Sequence, residues 1–310
     1  MKKLKLSIVT PCFNETHNII PLSNEIRKIC RSLPYEYEHI FIDNCSTDGT
    51  IAKLRLLASK DKKIKVIINA RNFGPEASPY YGLLQSSGDA TVMLPCDFQE
   101  PPNLIKDFVQ KWEEGFNIVL SVRKASESKK FIVLIRKFYY RFLNKISNIN
   151  LVNDASGYGL YDKKVIKFLQ SLDDPMPYFR GLLCEIGYPI AKVMFNQENR
   201  IRGKSSHSIL TLIDAAFLGI VKHSKLPLRL FTIVGIISSL VSFFVALIYF
   251  LIKIFFWYSF PMGFAPLIIG FFFISGIQLL GLGLVGEYLL ITLTHTRKFP
   301  LVVESERINF

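Results

Sequence analysis

The chain opens as a series of short apolar runs separated by stretches whose apolar positions follow helical spacing. LKLSIVT, EHIFID, KIKVIIN, ATVMLP and NIVLSV end near Thr10, Asp43, Asn69, Pro95 and Val122. Short runs rich in β-branched and aromatic residues predict strands. After the first of them, Ile19, Leu22, Ile26, Ile29 and Leu33 recur at i, i+3/i+4 intervals, the mark of a helix with one buried face. Strand and helix alternate to about residue 123, which predicts repeated βαβ units. The expected fold is therefore α/β, a mostly parallel sheet flanked by helices. Residues 124–225 are less regular and read as an extension of the same domain with a lid-like region.

Further on the pattern changes. Leu230 to Ile252 is a run of 23 residues without a charge, and Met262 to Gly286 is a second of 25. As a helix the first would reach roughly 34 Å, enough for a bilayer core of ~30 Å. The runs predict a C-terminal two-helix transmembrane hairpin with spans of about 230–253 and 263–288; a pair of buried core helices is the alternative. Trp257, Tyr258 and Pro261 suit an interfacial link. Lys222, His223, Lys225 and Arg229 precede the first span, and His295, Arg297 and Lys298 follow the second. By the positive-inside rule both termini are cytoplasmic. Phe131 to Ile146 sets Lys137, Arg141 and Lys145 beside Phe138, Phe142 and Ile146. That pattern fits an amphipathic helix at the headgroups or a surface helix packed on the core; the nearby spans favour the interface. The expected organisation is a cytoplasmic domain over 1–225 with the interfacial helix at about 131–146, a membrane unit over 226–292 and a cytoplasmic tail over 293–310.

Composition narrows the class. With 50% hydrophobic residues the chain is neither disordered nor a disulfide miniprotein, and the apolar excess of its last quarter excludes an ordinary soluble enzyme. Lys and Arg exceed Asp and Glu by 13 charges. The basic residues cluster beside the membrane segments and no nucleic-acid module is present, so lipid headgroups or a phosphate-bearing substrate explain the charge better than nucleic acid. Five cysteines without a C-x-x-C spacing read as reduced thiols facing the cytosol.

In open α/β sheets ligands bind beyond the carboxyl ends of the strands. The residues expected there are Pro11-Cys12-Phe13-Asn14-Glu15, Asp43 through Gly49, Arg71-Asn72-Phe73-Gly74, Asp97-Phe98-Gln99 and Arg123-Lys124. Neither a dinucleotide fingerprint nor a P-loop accompanies them. Two carboxylates, a carboxamide and two arginines suit a nucleoside diphosphate bound with Mg²⁺ or Mn²⁺, hard cations that take oxygen ligands, with arginines on the phosphates. Cys12, Cys45 and Cys96 lack the close Cys/His pairs of a zinc site. Asp48 before Gly49 reads as turn chemistry. An acid after a strand, such as Asp43, is also a helix cap, and Arg71 equally pins its loop.

The segments TPCFNE, IDNCSTDGT, RNFG, SSGDATVMLPCDFQEPP, PYFRGL, RIRGKSS and KLPLRLFTIVG occur in that order. With them the chain resembles, over nearly its whole length, family 2 glycosyltransferases of the polyprenyl-phosphate type, the group of dolichyl-phosphate mannose synthase and bactoprenol glucosyltransferases. The resemblance implies a GT-A-like fold and a metal-dependent, inverting transfer from a nucleotide sugar, most commonly a UDP-sugar, to a polyprenyl phosphate such as undecaprenyl phosphate. It implies a multi-pass protein of the bacterial inner membrane that serves cell-surface glycan synthesis. It places Asp43 at the nucleobase, Pro11, Phe13 and Glu15 along the nucleotide pocket, and Asp97 and Gln99 on the cation. Arg123 and Arg200 become clamps for the diphosphate and the lipid phosphate, with Arg71 in support. The chain departs from the family at Pro95, Asn44 and Gly157, where acids are usual, and at Ser206, where a Lys is usual. A glycan or lipid-linked glycan acceptor, or a degenerate non-catalytic scaffold, are the alternatives. Gly276, Gly281, Gly283 and Gly286 would permit close helix approach in a homo-oligomer.

Overall fold

The computed structural model describes residues 3–124, 152, 155–172, 174–197, 226–255, 264–297 and 299–310. The expected interfacial helix at 131–146, Arg200, Ser206 and the interspan residues Trp257, Tyr258 and Pro261 lie outside them.

All five strands read from the sequence are present: β1 (Lys5–Cys12), β2 (Glu36–Asp43), β3 (Ile64–Asn69), β4 (Ala90–Met93) and β5 (Ile118–Arg123). Between them run α1 (Ile19–Arg31), α2 (Thr50–Lys60), α3 (Gly74–Leu84) and α4 (Leu104–Glu113). Successive strand side chains face opposite sides of a sheet. Leu6 and Ile8 of β1 join Phe41, Ile19, Leu22, Ile26 and Phe108 in one core layer. Val9 meets Ile40, Ile42 and Ile67 on the other. The stripe predicted for α1 is the face it buries, with Ile19, Leu22, Ile26 and Ile29 all inside.

The sheet has eight strands. After β5 come β6 (Ala155–Asp162), α5 (Lys163–Ser171), α6 (Phe179–Glu185) and β7 (Ile190–Phe195), and a last strand, β8 (Glu304–Ile308), closes the chain. The order is β7-β5-β6-β4-β1-β2-β3-β8. β1 pairs in parallel with β2 and β4, β2 with β3, and β5 with β7. β6 runs antiparallel between β4 and β5, and β8 antiparallel to β3. The mostly parallel, helix-flanked sheet is thus as expected, with two antiparallel insertions. β6 and β7, both within residues 124–225, extend the same sheet. β6 (ASGYGLYD) carries too few β-branched residues to announce itself. Its Gly159 is required by packing, because a Cβ there would overlap the Val119 carbonyl of β5.

Two long helices, α7 (Leu226–Phe255) and α8 (Phe264–Thr296), precede the last strand. Within the described residues one stretch, Ile274–Thr294, is long and apolar enough to cross a membrane. Apolar side chains stand exposed along both helices, among them Ile236, Phe244, Leu267 and Leu282. Gly281 of α8 meets α7 directly, since a Cβ there would overlap the ring of Phe231; among the described residues no neighbour approaches the Cβ positions of Gly276, Gly283 and Gly286. Within the expected tail over 293–310, residues Glu304–Ile308 form β8, an edge strand of the sheet beside β3.

At the end of the sheet opposite the strands' carboxyl termini, Glu38 is 2% exposed and accepts hydrogen bonds from Lys5, Ser7 and Ser87. Lys65 lies 2.8 Å away. Burial alone would raise its pKa, but these partners hold it at about 2. The neighbouring His39, bonded to Thr10 at 3.0 Å, is lowered to about 3 by burial and by Arg27. Both groups take up protons more readily when unfolded. Their contribution is complete above the unfolded values, ~6.5 for His and ~4.3 for Glu, and is lost as pH falls toward 3 and 2. The denaturant midpoint of the full chain, followed by tryptophan fluorescence, should begin to fall below about pH 6.5. His39→Gln should remove the part of the slope between pH 6.5 and 4.5. An unchanged slope in that variant would assign it to other groups.

Candidate active site

β1 is the switch point of the sheet, with β2 on one side and β4 on the other. The loops leaving the carboxyl ends of β1 and β4 diverge there and open a crevice. β5 runs parallel to β4, so its final residue, Arg123, reaches the same rim. β6 runs the opposite way and brings its beginning, Gly157 and Tyr158, to that rim. A cavity of about 640 Å³ sits at this point, within the ~300–1,000 Å³ of small-molecule sites. Of the residues to which the resemblance gives a role, it is lined by Pro11, Phe13, Glu15, Asp97, Gln99 and Arg123, and Cys12, Asn44, Asn72 and Gly74 of the expected rim line it as well.

The loops are stiff. Asn14, Cys45 and Phe98 adopt left-handed backbone conformations, with φ of 56°, 64° and 59°. Such residues cost about 1–3 kcal/mol each and persist where the surroundings over-determine them. The first two loops are cross-bonded accordingly. Asn14 N–H donates to Ser46 Oγ, and Thr47 N–H to Asn14 Oδ1, both at 2.8 Å. Glu15 is buried, accepts from Asn18 Nδ2 at 2.6 Å, and its own N–H donates to Thr50 Oγ1 at 3.0 Å. Asp48 accepts from Thr50 and Thr16 N–H, both at 3.1 Å, which is the turn role expected of it.

Asp43 and Arg71 do not line the cavity. Asp43 is fully buried behind Cys12 and Asn44, and accepts from Ser46 N–H at 2.8 Å and Ser46 Oγ at 2.5 Å. Burial raises its pKa against the pull of those bonds. Its carboxylate shapes the β2 loop and caps no helix. The Arg71 guanidinium stacks 4.0 Å over the Phe73 ring and donates to the Asn72 carbonyl at 3.1 Å, pinning its own turn.

Asn44 lines the cavity wall and ties that turn to the sheet. Its Nδ2 donates to Asn72 Oδ1 at 2.9 Å and to the Gly74 carbonyl at 3.1 Å. Its Oδ1 accepts from Asn69 Nδ2 at 3.0 Å and from Phe73 N–H at 2.9 Å. A carboxamide can give and take at once; a carboxylate can only take. Asparagine at this departure from the family pattern is therefore what the turn requires.

Asp97 and Gln99 stand on one loop two residues apart, with Gln99 N–H donating to Asp97 Oδ1 at 3.2 Å and Gln197 Nε2 to Gln99 Oε1 at 3.1 Å. Glu76 and Glu100 add carboxylates to the same cavity. Oxygen donors of this kind fit Mg²⁺ or Mn²⁺ and not a thiol-seeking ion. Among the described residues no three His, Cys, Asp or Glu side chains converge to hold a metal unaided. Arg123 and Arg180 supply positive charge, and the buried Arg123 Nε has no hydrogen-bond partner among the described residues. Burial raises the Tyr158 phenol, and Glu100, Glu76 and Asp97 add to the rise. Glu76, Glu100, Tyr158 and Arg180 are not among the residues expected on the site. The segments CDFQEPP and PYFRGL contain two of them, and only the fold brings α6 and β6 to the rim.

Residues 7–169, more than half of the chain, match the model for glycosyl transferase family 2. A glycosyltransferase of Synechocystis sp. is 30% identical over 98% of this chain and 95% of its own. A prophage bactoprenol glucosyl transferase homolog of Escherichia coli K12 is 29% identical over 96% of this chain and 97% of its own. The bactoprenol glucosyl transferase of Shigella phage SfV is 29% identical over 92% and 93%. Among solved structures, mannosyl-3-phosphoglycerate synthase from Rubrobacter xylanophilus superposes with a TM-score of 0.49 at 16% identity, over 71% of this chain and 72% of that one. With its motifs, its sheet and relatives aligned nearly end to end, the chain belongs to glycosyl transferase family 2.

Proposed function

We propose that this protein transfers a sugar from a nucleotide sugar to a polyprenyl phosphate at a membrane surface. The observation that carries the reading is the convergence of Asp97, Gln99 and Arg123 on one cavity at the sheet's switch point. Two relatives that align over nearly the whole chain are bactoprenol glucosyl transferases by name, which supports the acceptor class.

The chemistry is a displacement at the anomeric carbon. A phosphate oxygen of the acceptor forms a bond to that carbon, and the bond to the nucleoside diphosphate breaks with inversion. The attacking oxygen is already anionic near neutral pH, so no strong base is required and Gly157 in place of an acid is tolerable. What remains is to align two anions and disperse charge on the leaving diphosphate. Asp97 and Gln99 would hold the Mg²⁺ or Mn²⁺ that supplies part of that neutralisation. The Arg123 Nε–H, unpaired among the described residues, donates to a diphosphate oxygen. Phe13 and Pro11 form the apolar wall for the nucleobase, uracil in the simplest reading. Asp43 acts from behind by fixing the loop, and Arg71 by fixing its turn. Arg200 remains a candidate for the lipid phosphate.

The exposed apolar surface of α7 and α8 suits hydrocarbon. β8 supports a two-span hairpin, because a chain that leaves the sheet and returns to its edge must cross a bilayer an even number of times. Catalytic domain and both termini then share one face, the cytoplasmic one by the charge of the flanks.

A panel of radiolabelled nucleotide sugars, incubated with membranes carrying the protein and added undecaprenyl phosphate, tests the reading. Label should enter an organic-soluble, acid-labile product, and EDTA should stop it. Label passing only to a glycan acceptor would overturn the acceptor assignment.

A further inference from the structure

The helix α3 is poorly equipped to hold itself. Its sequence, GPEASPYYGLL, contains Pro75, Pro79 and two glycines, and proline removes a helical hydrogen bond while glycine adds chain entropy. Gly82 is forced by the sheet beneath, because a Cβ there would lie 2.8 Å from Ile42. Yet this segment supplies Asn72, Gly74, Glu76 and Tyr80 to the cavity wall. Its outer support comes from the far end of the chain.

The Ala70 N–H donates to the Val303 carbonyl at 2.9 Å, and Ser305 Oγ to the Ile68 carbonyl at 3.0 Å. The Tyr81 hydroxyl donates to Glu304 Oε1 at 2.9 Å. Arg307 donates to Gln85 Oε1 at 2.8 Å and to Glu304 Oε2 at 2.8 Å. Burial opposes charge on Glu304, but Arg307 and Tyr81 hold its carboxyl below the ordinary range, so it stays anionic at neutral pH. These contacts bracket residues 70–85 at both ends. Only residues 297–303 separate Thr296 of α8 from Glu304, and at ~3.6 Å per residue they reach roughly 25 Å at most.

We propose that Glu304 and Arg307 are positioning residues of the donor site: the C-terminal strand holds residues 70–85 in their binding shape and ties that shape to α8. The proposal rests on the reading of the cavity as a nucleotide-sugar site. It is tested with the full chain in detergent by three variants. The double variant Glu304→Ala/Arg307→Ala removes both side-chain contacts. Glu304→Gln keeps an acceptor for Tyr81. Glu306→Ala cuts only the 2.5 Å ion pair to Arg55 on α2 and so loosens the same strand away from α3.

The double variant should raise the donor KM about tenfold, leave kcat and the acceptor KM within about twofold, and speed amide exchange across residues 70–85. Glu304→Gln should recover most of the donor KM, and Glu306→Ala should match the wild type in both readouts. Equal shifts from Glu306→Ala and the double variant would reduce the strand to a general stabiliser and overturn the proposal. So would unchanged exchange over residues 70–85. If the wild type turns over no nucleotide sugar, the functional reading fails by itself, and exchange still decides whether the strand holds this segment.

Discussion

Replacing Asp97 with alanine should abolish sugar transfer, with kcat/KM falling by about 10³ or more, the scale of losing a charge-stabilising group worth ~4 kcal/mol in a transition state. Its carboxylate accepts, among its contacts, a 3.2 Å hydrogen bond from Gln99 N–H, worth about 1 kcal/mol. α7 and α8 lie far along the chain from Asp97, so association with membranes should be normal. Asp97→Asn is the more exacting variant, because it keeps the shape and one acceptor oxygen while removing the charge. If charge matters through a bound cation, Asn should be nearly as inactive as Ala, and raising Mg²⁺ or Mn²⁺ should restore little. Initial rates across a metal titration measure this. Wild-type turnover in either variant would show that the carboxylate takes no part in the reaction.

The second large effect is expected at a residue of the cavity wall that ties its turn to the sheet. Asn44→Asp would bring this chain to the residue usual in the family, and by resemblance alone it should be harmless. The hydrogen bonds predict the opposite. The Nδ2 donations to Asn72 Oδ1 and the Gly74 carbonyl would become contacts between a carboxylate oxygen and two acceptors. Losing both donors and setting like partial charges against each other at a partly buried point should cost about 2–4 kcal/mol. The loss should be local, freeing the turn from Arg71 to Gly74 and the start of α3. Donor affinity should fall at least about tenfold for each 1.4 kcal/mol transmitted to the site. A UDP titration of the purified variant, paired with amide exchange over residues 69–84, reads both quantities. Wild-type affinity with unchanged exchange would mean the turn rebuilds itself around the acid.

These two positions also show how far the sequence could be read. The first five strands were legible because each is a short β-branched run followed by a helical stretch, and buried parallel strands must be so. Their loops were legible for the same reason, and with them part of the cavity wall. Asp43 and Arg71 were placed on the correct loops, but a loop residue's direction depends on its partners. Ser46 draws one inward, and Phe73 holds the other over its own turn. Asn44 could be noted as a departure without being understood, since its four bonds join segments about 25–30 residues apart. β6 was hidden by its glycines, of which Gly159 serves its close approach to β5. Arg180 could not be found because its helix comes to the rim only through strands that the pattern did not reveal.

The closing strand has one more consequence, for the order in which the molecule is made. β8 follows both long helices along the chain, so β3 stays an open edge while they emerge. An open edge is a template for wrong pairing, and it is sealed only once residues 304–308 have been made. A nascent chain halted anywhere before residue 304 can own every side chain of the cavity and still lack its finished frame. Completion of the sheet is thereby coupled to synthesis of both long helices, and truncated products should betray themselves to proteolysis at that unsealed border.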